Sequence, residues 1–228
     1  MRCGYVALVG RPNAGKSTLF NAFVGQRLSI VTAKPQTTRG RIIGILTDED
    51  SQIIFVDTPG LLEPSYKLHE SMEKQIKLAA READLALLLL DAITPRDRLK
   101  LVQSFLVENR TPTLALLNKV DLIPEDQIKN LLSDLCRIFD LPEIKPISAL
   151  LNKNLDSLLE QIKTSLPEGP QLYPEDMIAE QPERFFAAEL IREAAFEHLE
   201  DELPYSVNIT IEEFVERTRE KSYILAII

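Results

Sequence analysis

Eight residues near the start, Gly10-Arg11-Pro12-Asn13-Ala14-Gly15-Lys16-Ser17, have the types and spacing that hold a polyphosphate. The glycines let consecutive backbone N–H groups fold around phosphate oxygens, and a helix starting there adds its partial positive charge. Lys16 is placed to reach the terminal phosphates and the Ser17 hydroxyl to meet Mg²⁺, with Thr18 in the same nucleotide-binding run. A glycine-rich turn can match this pattern by accident, but here a strand precedes it and a helix follows. Asp57-Thr58-Pro59-Gly60 supplies a carboxylate that can hold Mg²⁺ through water and a glycine N–H that can meet a γ-phosphate. Asn118-Lys119-Val120-Asp121 supplies a base selector. The Asp121 carboxylate can accept from guanine N1–H and its 2-amino group, while adenine would leave it desolvated and unpaired. Lys119 can cover the ring with its aliphatic stem, and Asn118 can brace neighbouring loops. Ser148-Ala149-Leu150 is too short to carry meaning alone, but a backbone N–H there should meet the guanine oxygen.

The elements that must position these groups show as short apolar runs alternating with helical patterns, the mark of an α/β sheet with crossovers. Strands are predicted at Tyr5–Val9, Arg41–Leu46, Gln52–Asp57, Leu85–Asp91, Thr113–Asn118 and Ile144–Ser148. Helices are predicted at Ser17–Val24, His69–Arg81, Asp97–Glu108, Glu125–Phe139 and Asn154–Ser165. Only Thr47-Asp48-Glu49-Asp50-Ser51 separates the second strand from the third, so that pair should be an antiparallel hairpin at the edge of an otherwise parallel sheet. The expectation is a three-layer α/β fold over residues 1–166. Pro167, Gly169, Pro170, Pro174 and Pro182 mark residues 167–182 as a linker. Residues 183–228 then read as a helix with Phe185, Ala188, Ile191, Ala195 and Leu199 on one face. A strand with Val207, Ile209 and Ile211 inward follows, and a last strand at Tyr223–Ile228. One helix and two strands are too little to bury a core alone.

Composition narrows the class. Apolar residues make up 45% of the 228, enough for a real core. Cys3 and Cys136 stand far apart without companions at metal-ligand spacing, which suits a reducing compartment and opposes a disulfide framework. The longest apolar run, Leu85 to Leu90, is too short to span a bilayer, so the expected location is cytoplasmic. The net charge of −9 is uneven: residues 167–228 carry 5 Lys+Arg against 15 Asp+Glu. That acidic part is a poor electrostatic match for a nucleic-acid backbone. Asn118 to Asp121 likewise opposes an adenine-specific kinase or ATPase.

Taken in order, the four motifs resemble the translation-factor-related GTPases, and Arg11-Pro12-Asn13 with Gln36-Thr37-Thr38-Arg39 narrows the resemblance to the Era family. The segment from Glu180-Gln181-Pro182-Glu183 to Ile191-Arg192-Glu193 is similar to that family's linker and the first helix of its KH domain, and Leu203-Pro204-Tyr205-Ser206-Val207 to the strand entry that follows. The resemblance implies a GTP-hydrolysing switch acting in small ribosomal subunit assembly, with 16S rRNA bound by a complete KH domain. It adds a peripheral contact at the inner face of the cell membrane. The alternative is an RNA-binding scaffold whose affinity is gated by nucleotide. No Gly-x-x-Gly follows residue 182 and the sequence stops at Ile228, where the family continues. The expectation is therefore an incomplete KH-like, α+β segment that grips RNA weakly.

By the same resemblance Thr38, with Thr37 as alternative, completes the Mg²⁺ shell beside Ser17 and Asp57. The catalytic set is Lys16, Thr38, Gly60 and Asn13. Leu61 stands where related proteins carry a water-orienting glutamine and cannot replace it, so a backbone carbonyl or an ion must serve. Asn13 either ligates a K⁺ beside the phosphates or only braces its loop, and Arg39 is a lesser candidate cation. His69 and His198 have surface or packing roles. The stripe Leu68, Met72, Ile76, Ala79 and Ala80 is a helix face. Residues 29–40 and 58–72 are expected to follow the nucleotide state, with slow hydrolysis on the order of 10⁻⁴ to 10⁻² s⁻¹.

Overall fold

Along the first strand, Val6 and Leu8 face one way and Ala7 and Val9 the other, and all four are fully buried. Such a strand must lie inside a sheet covered on both faces. The computed structural model bears this out for residues 1–32, 34, 37, 38, 40–63, 67–95, 99–200, 203–215 and 221–228, which the structure describes; at 68, 204 and 205 it describes the backbone alone. The strands are β1 (Arg2–Gly10), β2 (Ile42–Thr47), β3 (Ser51–Asp57), β4 (Leu85–Asp91), β5 (Thr113–Asn118) and β6 (Lys145–Pro146). Between and after them run α1 (Lys16–Val24), α2 (Lys67–Glu82), α3 (Lys100–Glu108), α4 (Glu125–Phe139) and α5 (Leu155–Ser165). Then come α6 (Glu183–His198), α7 (Leu203–Ser206), β7 (Thr210–Val215) and β8 (Tyr223–Ile227).

Among the described residues the large sheet has the order β2-β3-β1-β4-β5-β6. All pairs are parallel except the β2/β3 hairpin, whose register runs from Ile42 opposite Asp57 to Thr47 opposite Gln52. The Asp48 carboxylate closes that hairpin by accepting from the Asp50 and Ser51 amides and the Ser51 hydroxyl. Helices α1 and α5 cover one face through Leu19, Phe20, Leu158 and Ile162. Helices α2, α3 and α4 cover the other through Ile76, Phe105, Leu135 and Phe139. The neighbours of β1 are β3 on one side and β4 on the other, so the crossovers diverge at its carboxyl end. In open α/β sheets a ligand crevice forms at that point.

The structure corrects several boundaries. Strand β1 begins at Arg2, ahead of Tyr5, because Arg2 to Gly4 pair with Ser51 to Ile53. Strand β6 shrinks to two residues because Ser148 and Lys153 exchange backbone hydrogen bonds and fold the chain back. Strand β7 starts at Thr210, leaving Val207 and Ile209 outside it. Residues 203–206 form a helical turn instead of a strand entry, and a proline is tolerated in a first turn, where its missing N–H is no loss. Helix α3 begins at Lys100; Asp97 lies outside the described residues, as do Gln36, Arg39 and the Leu68 side chain.

Residues 167–182 contain no long element, yet they are pinned along the sheet edge. Pro167 O accepts from Cys3 N, and Ile178 O accepts from Ile45 N at 2.9 Å. The fully buried Gln52 amide accepts from the Leu172 and Tyr173 amides and donates to Tyr173 O. The chain thereby delivers α6 to the mouth of the sheet. The deepest residues of α6 are Arg192, Glu193 and Phe196, not the expected apolar stripe. Its neighbour is the loop after α1, whose backbone carbonyls and amides need polar partners when covered.

Candidate functional site

The loop between β1 and α1 turns through Asn13 at φ 61° and Gly15 at φ 93°, both left-handed. At Gly15 a Cβ would also stand 2.1 Å from Asn118 Nδ2, so glycine is required twice over. Lys16 is buried and its Nζ donates to Gly10 O at 3.2 Å and Arg11 O at 3.0 Å. Burial pushes its ammonium down to about 8, against the pull of Asp57. Gly60 meets the loop from the far side: a Cβ there would fall 2.5 Å from Pro12 N. Leu61 N donates to Gly10 O at 2.9 Å, and the Leu61 side chain packs into the core with Ile76. Thr58 donates to Leu8 O at 2.6 Å and lies fully buried.

Asp57 is the centre of the site. Its Oδ2 accepts from Ser17 Oγ and Ser29 Oγ, each at 2.7 Å, and from Thr38 Oγ1 at 3.5 Å. Ser17 Oγ and Thr38 Oγ1 lie 3.3 Å apart. The other carboxylate oxygen, Oδ1, is buried without a hydrogen-bond partner among the described residues. Burial raises the Asp57 carboxyl above the usual range, opposed by Lys16 and the three hydroxyls. An orphaned anionic oxygen beside two neutral hydroxyls is a hard, all-oxygen donor set of the kind Mg²⁺ takes. Thr38, and not the adjacent Thr37, brings its hydroxyl to this cluster. A cleft of about 320 Å³ opens above it, lined by Asn13, Lys16, Ser17, Thr18, Thr38, Gly60 and Lys119 among others.

On the β5 side Asn118 Nδ2 donates to Ala14 O at 2.8 Å and its Oδ1 accepts from Ala149 N at 2.9 Å. Lys119 sits at φ 65° and pairs with Asp91 Oδ2 at 2.8 Å, which aligns its stem beside the cleft. Asp121 Oδ1 is buried without a partner among the described residues. Ser148 and Ala149 are buried, and Ser148 Oγ accepts from Leu151 N. Leu150 is exposed. The sequence motifs thus meet at one mouth of the sheet, as their positions at strand ends require.

Some residues of the site carry no motif. Ser29 is buried against Asp57, and the Asn21 amide fixes it there by accepting from the Leu28 and Ser29 amides and donating to Ser29 O. Asp91 ends β4 and anchors Lys119; the sequence reading did not single it out, and an acidic residue at a strand end is the one signal that could have. His69 is buried, in keeping with a packing role.

A family model described as "50S ribosome-binding GTPase" matches residues 5–119. The chain is 41% identical to "GTPase Era" of Ruminiclostridium cellulolyticum over 218 residues, covering 95% of this chain and 73% of that protein. It is 44% identical to "GTPase Era" of Clostridium botulinum strain Eklund 17B over 214 residues, 92% of this chain and 72% of that one. Its fold is similar to that of Era in complex with MgGDPNP and nucleotides 1506–1542 of 16S ribosomal RNA, with a TM-score of 0.89, 41% identity and 96% and 74% coverage. A variant of Aquifex aeolicus Era bound to GDP and AlF₄⁻ gives 0.87 at 39% identity, covering 96% and 75%.

Proposed function

The chain belongs to the Era family of P-loop GTPases and hydrolyses GTP, and from that premise we propose how its residues do so and what the switch serves. The observation that carries the reading is the convergence of Ser17, Thr38 and the orphaned Asp57 Oδ1 beside Lys16. GTP lies in the cleft, with its phosphates on the amides of residues 12–17 and Lys16 turned from the Gly10 and Arg11 carbonyls to the terminal phosphates. Ser17, Thr38 and Asp57 hold Mg²⁺, which when bound neutralises charge on the β- and γ-phosphates. Asp121 accepts from the guanine edge, Lys119 covers the ring, and Asn118 keeps the two loops in register. Gly60 N–H meets the γ-phosphate. Water attacks in line, and catalysis rests on position and electrostatics. Leu61 offers nothing to that water.

Asn13 has two candidate roles. Its amide oxygen can ligate K⁺ beside the phosphates, or it can hold the left-handed turn that it occupies at φ 61°.

The switch acts in small ribosomal subunit assembly, through contact of a complete KH domain with 16S rRNA. Support comes from the close likeness to an Era captured with a 16S rRNA fragment. In the sequence given, residues 183–228 contain no glycine, hence no Gly-x-x-Gly, and residues 167–228 are strongly acidic. Filter binding to an rRNA 3′ fragment should therefore be weak for this chain and tight for a chain carrying a complete KH domain. Tight, sequence-specific binding by residues 1–228 at physiological salt would contradict the reading. Membrane contact stays a proposal of peripheral association; among the described residues no helix is long and apolar enough to cross a membrane.

A further inference from the structure

We infer that Arg192 and Glu193 of α6 are positioning residues for GTP hydrolysis, acting from outside residues 1–166 by fixing the loop that carries Thr38. Both residues are buried, at 6% and 4% exposure, and with Phe196 they are the buried residues of that helix. Arg192 Nη1 donates to Thr37 O at 2.7 Å. The same guanidinium is held from behind by Glu189, with Nε to Oε1 at 2.8 Å and a second bond from Nη2 to Oε2, and it lies over the Phe196 ring. Glu193 Oε1 accepts from Val31 N at 3.0 Å and from Arg27 Nη2 at 2.8 Å. The loop between α1 and β2 is thus gripped at Val31 and again at Thr37, one residue before the hydroxyl that meets Ser17 and Asp57.

The geometry is specific. A guanidinium braced by a bidentate carboxylate presents its remaining N–H groups in a fixed direction, which an ammonium cannot do. Its acceptor is the carbonyl of the peptide between Thr37 and Thr38, so a shift of that carbonyl rotates the Thr38 backbone. Displacing a metal ligand by about 1 Å can cost on the order of 10²-fold in rate. Coupling is reciprocal: whatever draws Thr38 to the metal also favours α6 in its docked place. This inference rests on Thr38 completing the Mg²⁺ shell.

The test compares single-turnover GTP hydrolysis, its Mg²⁺ dependence and GDP affinity in residues 1–228 for wild type, Thr38→Ala, Arg192→Ala, Arg192→Lys and Glu193→Ala. Arg192→Ala and Glu193→Ala should each slow hydrolysis about tenfold. Both should raise the Mg²⁺ concentration giving half-maximal rate and leave GDP affinity unchanged. Arg192→Lys should fall between wild type and Arg192→Ala, and it serves if the alanine variant does not fold. Combined with Thr38→Ala, Arg192→Ala should add nothing, because both act through one ligand. Multiplied losses in the double variant, or wild-type rate and Mg²⁺ dependence in the Arg192 variants beside a slow Thr38→Ala, would overturn the inference alone. Wild-type hydrolysis in Thr38→Ala would overturn the reading of Thr38 and the inference with it.

Discussion

The Asn118 side chain joins two loops that the sequence separates by more than a hundred residues: it donates to Ala14 O and accepts from Ala149 N. In the proposed function one loop lies under the phosphates and the other beside the base. Asn118→Ala leaves those buried groups unpaired, at a cost of about 1–3 kcal/mol. GTP and GDP affinities should fall together, by about 10- to 100-fold. Paired titrations check this, and a loss confined to GTP would contradict the bracing role.

Lys16 sets a pH dependence with a definite sign. In the nucleotide-free protein its ammonium is lowered to about 8 by burial, so it discharges as pH rises through that value. Phosphate oxygens favour the charged form and raise it again. Binding must then take up protons around pH 8, and affinity, full below about 8, should decline above it. Calorimetry in two buffers of different ionisation heat counts those protons. Lys16→Ala should abolish the uptake; equal apparent heats in both buffers for the wild type would count against this picture.

Leu61 should matter to stability and little to chemistry. It is buried against Ile76 and its neighbours, and Leu61→Ala should cost about 2–4 kcal/mol of unfolding free energy. It removes no hydrogen bond or charge, so single-turnover hydrolysis should stay within about tenfold of wild type. A loss of three orders of magnitude with nucleotide affinity preserved would make the residue catalytic after all.

The two roles open to Asn13 separate in salt. Hydrolysis in KCl and NaCl at matched ionic strength equalises general screening. Faster turnover in K⁺ that vanishes in Asn13→Ala supports the ion; equal rates leave the bracing role.

Most of the sheet and the motif-bearing site were legible from short range. Periodicity marks β3 to β5, and Gly10, Asp57 and Asn118 stand at strand ends, where an α/β sheet gathers its loops. The Asp48 turn made the antiparallel edge readable as well. What escaped depends on contacts between distant segments. Ser29 is a serine in an unpatterned loop until Asn21 and Asp57 surround it. Gln52 organises residues 172 and 173 from 120 residues away. The apolar stripe of α6 suggests one buried face, whereas the helix buries Arg192 and Glu193, which bond to the backbone of the loop after α1, beside Phe196. The start of β7 differs because the alternation from Val207 to Ile211 begins three residues before the strand does at Thr210.

In the proposed function this cleft selects guanine through Asp121, whose Oδ1 is buried and lacks a partner among the described residues. The most direct measurement is a side-by-side titration of wild type and Asp121→Asn with GTP, ATP and xanthosine triphosphate in Mg²⁺. Wild type should bind GTP strongly and ATP poorly, since adenine leaves that carboxylate unpaired. In Asp121→Asn, GTP should weaken by up to several kcal/mol while xanthosine triphosphate gains, because an amide offers only one acceptor side. Comparable wild-type affinity for ATP and GTP, or an unchanged GTP preference in Asp121→Asn, would contradict the assignment.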